Sequence, residues 1–206
     1  MAFYRGLMRH VPKWALFTSG CAPVLLIGGW TMAARLEGPA YNPVTQTISV
    51  LAAYGSAGFW WMTGALLALG TCHLLTALGL RTAALAGRLA LGAGGVAALV
   101  VTLFPAPSSG GSYRHGSVTA VGFALLTVWP ILAAARDGTK PWGLRLVPSV
   151  TATACMCAAA VWYLVETQSH GAAGIAERLV TVLQSVWPFV VVASCLLHRV
   201  DDSAST

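Results

Sequence analysis

Three polar residues that could do chemistry lie at helical spacing in an apolar segment near the C-terminus. Glu177, Thr181 and Gln184 follow one another at i, i+4 and i+7, so a helix would place them in one stripe. His115 and Thr119 repeat the first step of this spacing in an earlier apolar segment. Because polar groups are disfavoured against lipid, we predict that the two stripes face each other across a cavity.

The chemistry that fits these residues is proton transfer. A carboxyl group in a low-dielectric pocket holds its proton and can act as a general acid on a hydrophobic substrate. Glu177 and Glu166 are the candidate acids, and His115 is the candidate that positions or tunes them. Aromatic faces would stabilise a cation that develops on protonation, although such residues also form the usual belt at a membrane interface. The aromatic candidates are Trp30, Tyr41, Phe59, Trp60, Trp162, Tyr163 and Trp187.

One stretch, YNPVTQTISVLAAYG at residues 41–55, is polar in its first half and apolar in its second. It carries no acid, base or ligand set, so we predict that it covers the site and is not its chemical centre. We call residues 41–55 the cover loop. The predicted substrate-binding residues are Tyr41, Asn42, Gln46, Trp60, Arg114, Trp162, Arg178, Gln184 and Trp187.

Several candidates also have a structural interpretation. Arg114, Glu166 and Arg178 fall at the ends of apolar segments, where a charged group reaches water easily. Gln184 can hydrogen-bond a neighbouring helix. His73, inside another apolar segment, is expected to be a bundle residue with its hydrogen bonds satisfied.

The composition indicates a membrane protein. Of the 206 residues 57% are hydrophobic and 9% are charged, whereas soluble domains carry roughly 25% charged residues. The net charge of +6 is dispersed between apolar runs and forms no basic patch, which argues against nucleic acid as a partner. The histidines and cysteines have no metal-type or haem-type spacing and no phosphate-binding motif is present, so we predict no metal and no cofactor.

Six apolar segments are long enough for helices that cross a membrane, which requires about 20 residues each. They lie at about 14–34, 56–80, 84–104, 115–135, 148–165 and 177–198. The sequence therefore predicts an all-α polytopic bundle, one domain over residues 1–206, with a disordered tail at 200–206. The sequence GAGG at 92–95 predicts close helix packing.

Basic residues predict the orientation, because cytoplasmic loops are enriched in lysine and arginine. A cytoplasmic N-terminus places nine basic residues inside: Arg5, Arg9, Lys13, Arg81, Arg88, Arg136, Lys140, Arg145 and Arg199. It leaves three outside, Arg35, Arg114 and Arg178. Both termini are then cytoplasmic, and all three glutamates lie on the outer side with the cover loop.

The stretch YNPVTQTISVLAAYGSAGFWWM, residues 41–62, resembles the outer loop of a family of six-helix bacterial and archaeal membrane proteins, catalogued as domain of unknown function 998. Members show a Y-D-P-x-x-x-x-I-S-x-L-like pattern, and Asn42 stands where an Asp is common. Phe104-Pro105, His115-Gly116 and GIAERL at 174–179 extend the resemblance over nearly the whole chain. It implies the six-helix fold in a bacterial plasma (inner) membrane and assigns no activity.

Size, helix number and outer-half carboxylates among aromatics are also similar to those of small bacterial integral-membrane terpene cyclases. Three function classes stay open. The first is an intramembrane enzyme acting on an isoprenoid or lipid, with acid-initiated terpene cyclisation as the leading specific hypothesis. The others are a non-catalytic protein that binds lipid or a partner, and a small transporter, although no inverted repeat is present. The expected partners are the lipid bilayer and a hydrophobic small molecule, and a homo-oligomer stays open.

Overall fold

The computed structural model describes residues 11–107, 111–135 and 140–204, with side chains through His198. In this part of the chain the secondary structure is helical, which confirms the predicted all-α helix bundle. The α-helices are α1 Lys13–Glu37, α2 Ile48–Leu51, α3 Phe59–Gly79, α4 Leu85–Val101, α5 Tyr113–Ala133, α6 Leu146–Ser169 and α7 Ala173–Ala204. Two short 3₁₀ helices, Gly38–Ala40 and Trp142–Leu144, follow α1 and precede α6.

Five of these helices, α1, α3, α5, α6 and α7, are long and apolar enough to cross a membrane. Helix α4 has 17 residues, a length of about 25 Å at 1.5 Å per residue. Its last turn is extended by the amides of Thr102, Leu103 and Phe104, which each donate to the carbonyl three residues earlier. The helical path therefore continues to Pro105, which has no amide hydrogen to prolong it. The predicted number of six crossings stays a prediction.

The six long helices form a closed ring. Helices adjacent along the chain pack side by side from α1 and α3 through α4, α5 and α6 to α7, and α7 packs back against α1. Short connections favour such antiparallel neighbours. The ring encloses space that side chains of several helices reach, and the candidate site lies there.

Close backbone approach holds α3 and α4 together. A Cβ atom on Gly70 would lie 2.6 Å from the Gly95 carbonyl oxygen, and one on Gly95 would lie 2.7 Å from the Gly70 carbonyl oxygen. Gly95 thus packs closely on α3 as the GAGG sequence predicts, and Gly94 packs on Leu126 of α5. Near the connection between α3 and α4, Arg88 Nε donates to the Ala77 carbonyl at 2.9 Å and so caps the last turn of α3.

Helix α7 is longer than predicted at both ends. It begins at Ala173, four residues before the predicted start, so Glu177 lies beyond the first turn. It continues through Ala204, where the sequence predicts a disordered tail from residue 200. After Pro188 this segment has no proline or glycine that would end the helix.

Candidate functional site

The cover loop folds onto the bundle through a short helix. Helix α2, residues 48–51, lies within it, and the side chains of Ile48 and Leu51 are buried. They belong to a core cluster with Leu26 of α1 and Met62 of α3. Ile48, Leu51 and Ala52 of the second half therefore belong to the hydrophobic core together with Tyr41, and residues 42–45 stay at the surface.

The start of α7 holds the loop in place by backbone contacts. The amides of Gly174 and Ile175 both donate to the Val44 carbonyl, at 2.9 and 3.2 Å. These amides belong to the first turn of a helix, where no intrahelical carbonyl is available. A Cβ atom on Gly174 would lie 2.2 Å from the Gln46 carbonyl oxygen, so this approach requires glycine. The loop thus supplies the acceptors that the first turn of α7 lacks.

Arg178 is a second anchor of the cover loop. Its guanidinium donates to the carbonyls of Pro43 at 3.0 Å and Gln46 at 3.3 Å, and to the Tyr41 hydroxyl. It also lies over the rings of Trp30 and Tyr41, 5.6 and 5.7 Å from their centroids. Burial raises the pKa of the Tyr41 phenol, and Arg178 opposes this in part. Arg178 and Tyr41 are predicted to bind substrate. In the structure they hold the cover loop in place, Arg178 from α7 and Tyr41 from within the loop.

Beneath the cover loop lies a cavity of about 100 Å³ inside the ring. An apolar cavity of about 150 Å³ can hold benzene, so this one has room for the end of a molecule, and a whole lipid would not fit. Most of its lining is aliphatic and comes from α1 to α5 and α7. Its polar lining residues are Ser49, Thr63, His73, Thr102, His115, Thr119, Glu177, Thr181, Gln184 and Ser185.

Glu177 joins the cover loop to this cavity. Its side chain is buried, and its Oε2 accepts a hydrogen bond from the Ile48 amide at the start of α2. Its Oε1 accepts from the Ser49 hydroxyl at 3.3 Å. Ser49 Oγ also lies 3.2 Å from His115 Nε2, and His115 Nδ1 lies 2.8 Å from the Phe104 carbonyl oxygen. Three residues from α7, α2 and α5 thus form one hydrogen-bonded chain.

Hydrogen-bond chemistry restricts the protons on this chain. The Phe104 carbonyl can only accept, so His115 Nδ1 carries a hydrogen. The Ser49 hydroxyl has one hydrogen for two neighbours, Glu177 and His115 Nε2. Every contact is satisfied in two arrangements: protonated Glu177 with neutral His115, or ionised Glu177 with doubly protonated His115. Both hold the same number of protons, so a shift through Ser49 interconverts them and the chain can relay a proton.

The structure brings three of the predicted site residues to this cavity: Glu177, His115 and Gln184. Thr119 and Thr181, which complete the two predicted stripes, line it as well. Gln184 Nε2 donates to the Phe123 carbonyl at 3.1 Å and to Thr127 Oγ1 at 3.0 Å on α5, which joins the two helices as the structural interpretation predicts.

Other predicted site residues lie elsewhere. Glu166 is in the last turn of α6, where its carboxylate accepts from Trp162 Nε1 at 3.0 Å and from the Ala172 amide. Trp187 lines a separate groove between α6 and α7, 6.0 Å from the Trp142 ring.

The polar residues predicted at the cover end also turn away from the cavity. Asn42 Oδ1 accepts from the Val44 amide at 2.9 Å, and Gln46 Oε1 accepts from the Asn42 amide at 2.7 Å, so both form the turn of the loop. Arg114 is exposed at the start of α5. Trp60 is 79% exposed on the surface of α3.

Two features of the site differ from expectation. The prediction that His73 has its hydrogen bonds satisfied is wrong among the described residues, because both ring nitrogens are buried without a partner. In the part of the chain that the structure describes, Phe123 is the one phenyl or indole ring that lines the cavity, and the predicted aromatic residues do not line it. Ser49 was not a predicted catalytic or binding residue, although its place in a polar-to-apolar loop marked the segment that contains it.

The model of the family described as protein of unknown function (DUF998) matches residues 20–194. The chain belongs to this family. The match covers all of the site residues above and confirms the resemblance seen in the cover loop. Searches of curated proteins and of solved structures returned no match. Membership of DUF998 together with the apolar helices describes a membrane protein, and the family description assigns it no activity.

Proposed function

We propose that this DUF998 member is an intramembrane enzyme that transfers a proton to one end of a hydrophobic isoprenoid or lipid molecule. The observation that carries the proposal is Glu177, a buried carboxyl group that lines an apolar cavity and contacts His115 through Ser49. An acid in such an environment transfers a proton without competition from water.

In this proposal Glu177 is the general acid and His115 resupplies it. Protonated Glu177 gives its proton to the substrate and becomes a carboxylate. His115, which is half-buried at the cover end, takes a proton from water. The doubly protonated ring then passes its Nε2 proton to Ser49 Oγ as the Ser49 hydroxyl proton moves to Glu177. The relay returns to its first state with one proton taken up from water and one delivered.

We limit the proposed reaction to proton transfer. A cyclisation cascade requires several aromatic faces to stabilise successive cations. Phe123 supplies one such face among the described residues that line the cavity. Isomerisation of a double bond at the end of a chain needs one protonation and then the loss of a proton from a neighbouring carbon to the Glu177 carboxylate or to water. Hydration needs one protonation, the addition of one water molecule and the release of its extra proton. Each reaction forms a single cation and fits the space better.

The test compares two matched glutamates at the same end of the bundle. Lipid extracts from cells that express the wild type, Glu177→Gln or Glu166→Gln are compared by mass spectrometry, with the amount of folded protein measured in each. We expect a product in the wild type and in Glu166→Gln, and a decrease on the order of a hundredfold in Glu177→Gln. The same product level in Glu177→Gln, or no expression-dependent product in the wild type, contradicts the proposal.

A non-catalytic lipid-binding protein is the second candidate, because Glu177 also anchors the cover loop through Ile48 and Ser49. Under this alternative Glu177→Gln loosens the loop and weakens ligand retention with no change in any lipid. Ser49→Ala separates the candidates further. It leaves the Ile48 contact in place, so it slows product formation in an enzyme and barely affects a loop anchor.

A further inference from the structure

Polar groups without partners continue down the cavity from Glu177. Both ring nitrogens of His73, the hydroxyl of Thr119 and Oε1 of Gln184 have no hydrogen-bond partner among the described residues. We call these three residues the deep polar set. They come from α3, α5 and α7 and line the same cavity, and His73 and Gln184 are each 1% exposed. Buried polar atoms are nearly always paired, so four unpaired atoms on three residues along one cavity indicate a missing partner inside it.

The unpaired atom of Gln184 has a definite character. Its Nε2 donates to the Phe123 carbonyl, which can only accept, so the nitrogen and oxygen of the amide are distinguished. The second hydrogen of Nε2 faces Thr127 Oγ1 at 3.0 Å. Both donors of the amide are thereby used, and Oε1 is left as an acceptor in need of a hydrogen. A partner for Gln184 must therefore be a donor.

The other two residues accept a wider range of partners. A neutral imidazole has one donor and one acceptor nitrogen, and a threonine hydroxyl can donate and accept. A carbonyl or an ether in the ligand would satisfy His73 or Thr119 and leave Gln184 Oε1 unpaired. A cationic donor such as an ammonium group would be desolvated with no carboxylate in the deep polar set, which is unfavourable. A hydroxyl group meets the requirement of Gln184, since it donates to Oε1, and it can at the same time accept from His73 or Thr119.

We propose that the cavity binds the end of a hydrophobic alcohol, with its hydroxyl group at the deep polar set and the adjoining carbon atoms along the aliphatic walls. The volume of about 100 Å³ holds only that end of the molecule. The claim that this alcohol is the substrate rests on the proposed function, and the claim that it binds does not.

The test uses farnesol and its methyl ether, which keeps the oxygen acceptor and removes the donor. Their affinities for the purified wild type are measured by competition with radiolabelled farnesol in detergent. Loss of the donor leaves Gln184 Oε1 unpaired, so we expect farnesol to bind about tenfold more tightly than the ether. Equal affinities would show that water satisfies the deep polar set and would overturn the inference.

Two variants locate the preference. Gln184→Met removes the acceptor and is expected to bind the alcohol and the ether equally. Because it also loses the contacts to α5, Thr119→Val provides an independent variant, with an expected several-fold loss of farnesol affinity. Thr153→Val is the matched control, since its hydroxyl is also buried without a partner but lies on α6 outside this cavity. An unchanged preference in folded Gln184→Met together with unchanged affinity in Thr119→Val contradicts the inference.

The two experiments distinguish a failure of the proposed binding site from a failure of the proposed enzyme. A preference for the alcohol with no Glu177-dependent product would retain the binding site and remove the proposed enzyme. A Glu177-dependent product with no preference for the alcohol would retain the enzyme and remove the hydroxyl site.

Discussion

Glu177 and Arg178 are neighbours in the chain, yet α7 directs them to different parts of the site. Consecutive residues on a helix do not share a face. Glu177 therefore points between the helices toward the cavity and α2, and Arg178 points along the loop carbonyls. The same turn of α7 holds the cover loop and places the acid beneath it.

Gly174, one turn before Arg178, offers a test of this arrangement. In Gly174→Ala the new Cβ atom would lie 2.2 Å from the Gln46 carbonyl oxygen and 2.5 Å from that of Pro43, so the loop must move. We expect the free energy of unfolding to fall by about 1–3 kcal/mol and hydrogen exchange to increase at residues 42–51.

The control is Gly116→Ala in the first turn of α5, where a Cβ atom has no neighbour within 4 Å. Alanine there is expected to leave the stability unchanged or slightly higher. If both variants have the same stability, the close packing of α7 on the loop is not significant.

Helical spacing alone was sufficient to predict which stripe residues share the cavity, because Glu177, Gln184 and His115 lie on regular helices. The roles of Ser49 and Arg178 could not be predicted in this way. Ser49 reaches Glu177 through the path of an irregular loop, which has no period to read. The sequence predicts Arg178 as a substrate-binding residue. Its partners in the structure are carbonyls of the cover loop, and their positions depend on how the loop folds.

Helix α2 shows why the sequence predicts no helix within the cover loop. Four residues are too few to form a stable helix in isolation. The tertiary structure supplies what α2 lacks: Glu177 accepts its first amide hydrogen, and Leu51 is fully buried against α1 and α3. The long helices, in contrast, have apolar lengths that the membrane sets, so their presence can be predicted from the sequence alone.

The packing of α3 on α4 leads to a prediction within the GAGG sequence. In Gly95→Ala the new Cβ atom would lie 2.7 Å from the Gly70 carbonyl oxygen and 3.1 Å from His73 Cβ, so the helices must separate. In Gly92→Ala the nearest atom is Ala77 Cβ at 3.6 Å, an ordinary contact. We expect Gly95→Ala to lower the free energy of unfolding by about 1–3 kcal/mol and Gly92→Ala to have little effect, as measured by denaturant titration in micelles. Equal losses of stability in the two variants would contradict the close approach of α3 and α4 at Gly95.

In the bundle as a whole, the contact between the cover loop and α7 bears on how many times the chain crosses. The cover loop contacts the first turn of α7, so residues 42–46 and 174–178 lie at the same end. Helices α3, α4, α5 and α6 connect these two places. If α4, with its 17 residues, did not traverse the bundle, the two places would be at opposite ends. The contacts therefore favour a crossing by α4, although its length alone falls below the usual span of about 20 residues, and the number of six crossings stays a prediction.

If α4 crosses the bundle, two exposed positions lie on opposite sides: Arg81 between α3 and α4, and Ser169 at the end of α6. The basic residues Arg81, Arg88 and Arg145 favour a cytoplasmic location for the end away from the cover loop. In a background without native cysteines, a membrane-impermeant maleimide is expected to label Ser169→Cys in intact cells and Arg81→Cys only after permeabilisation. Five crossings would place both cysteines on one side, and an inverted protein would exchange their labelling. The predicted pattern places Glu177 and His115 near the outer surface, so the substrate must already be dissolved in the membrane when it reaches the cavity.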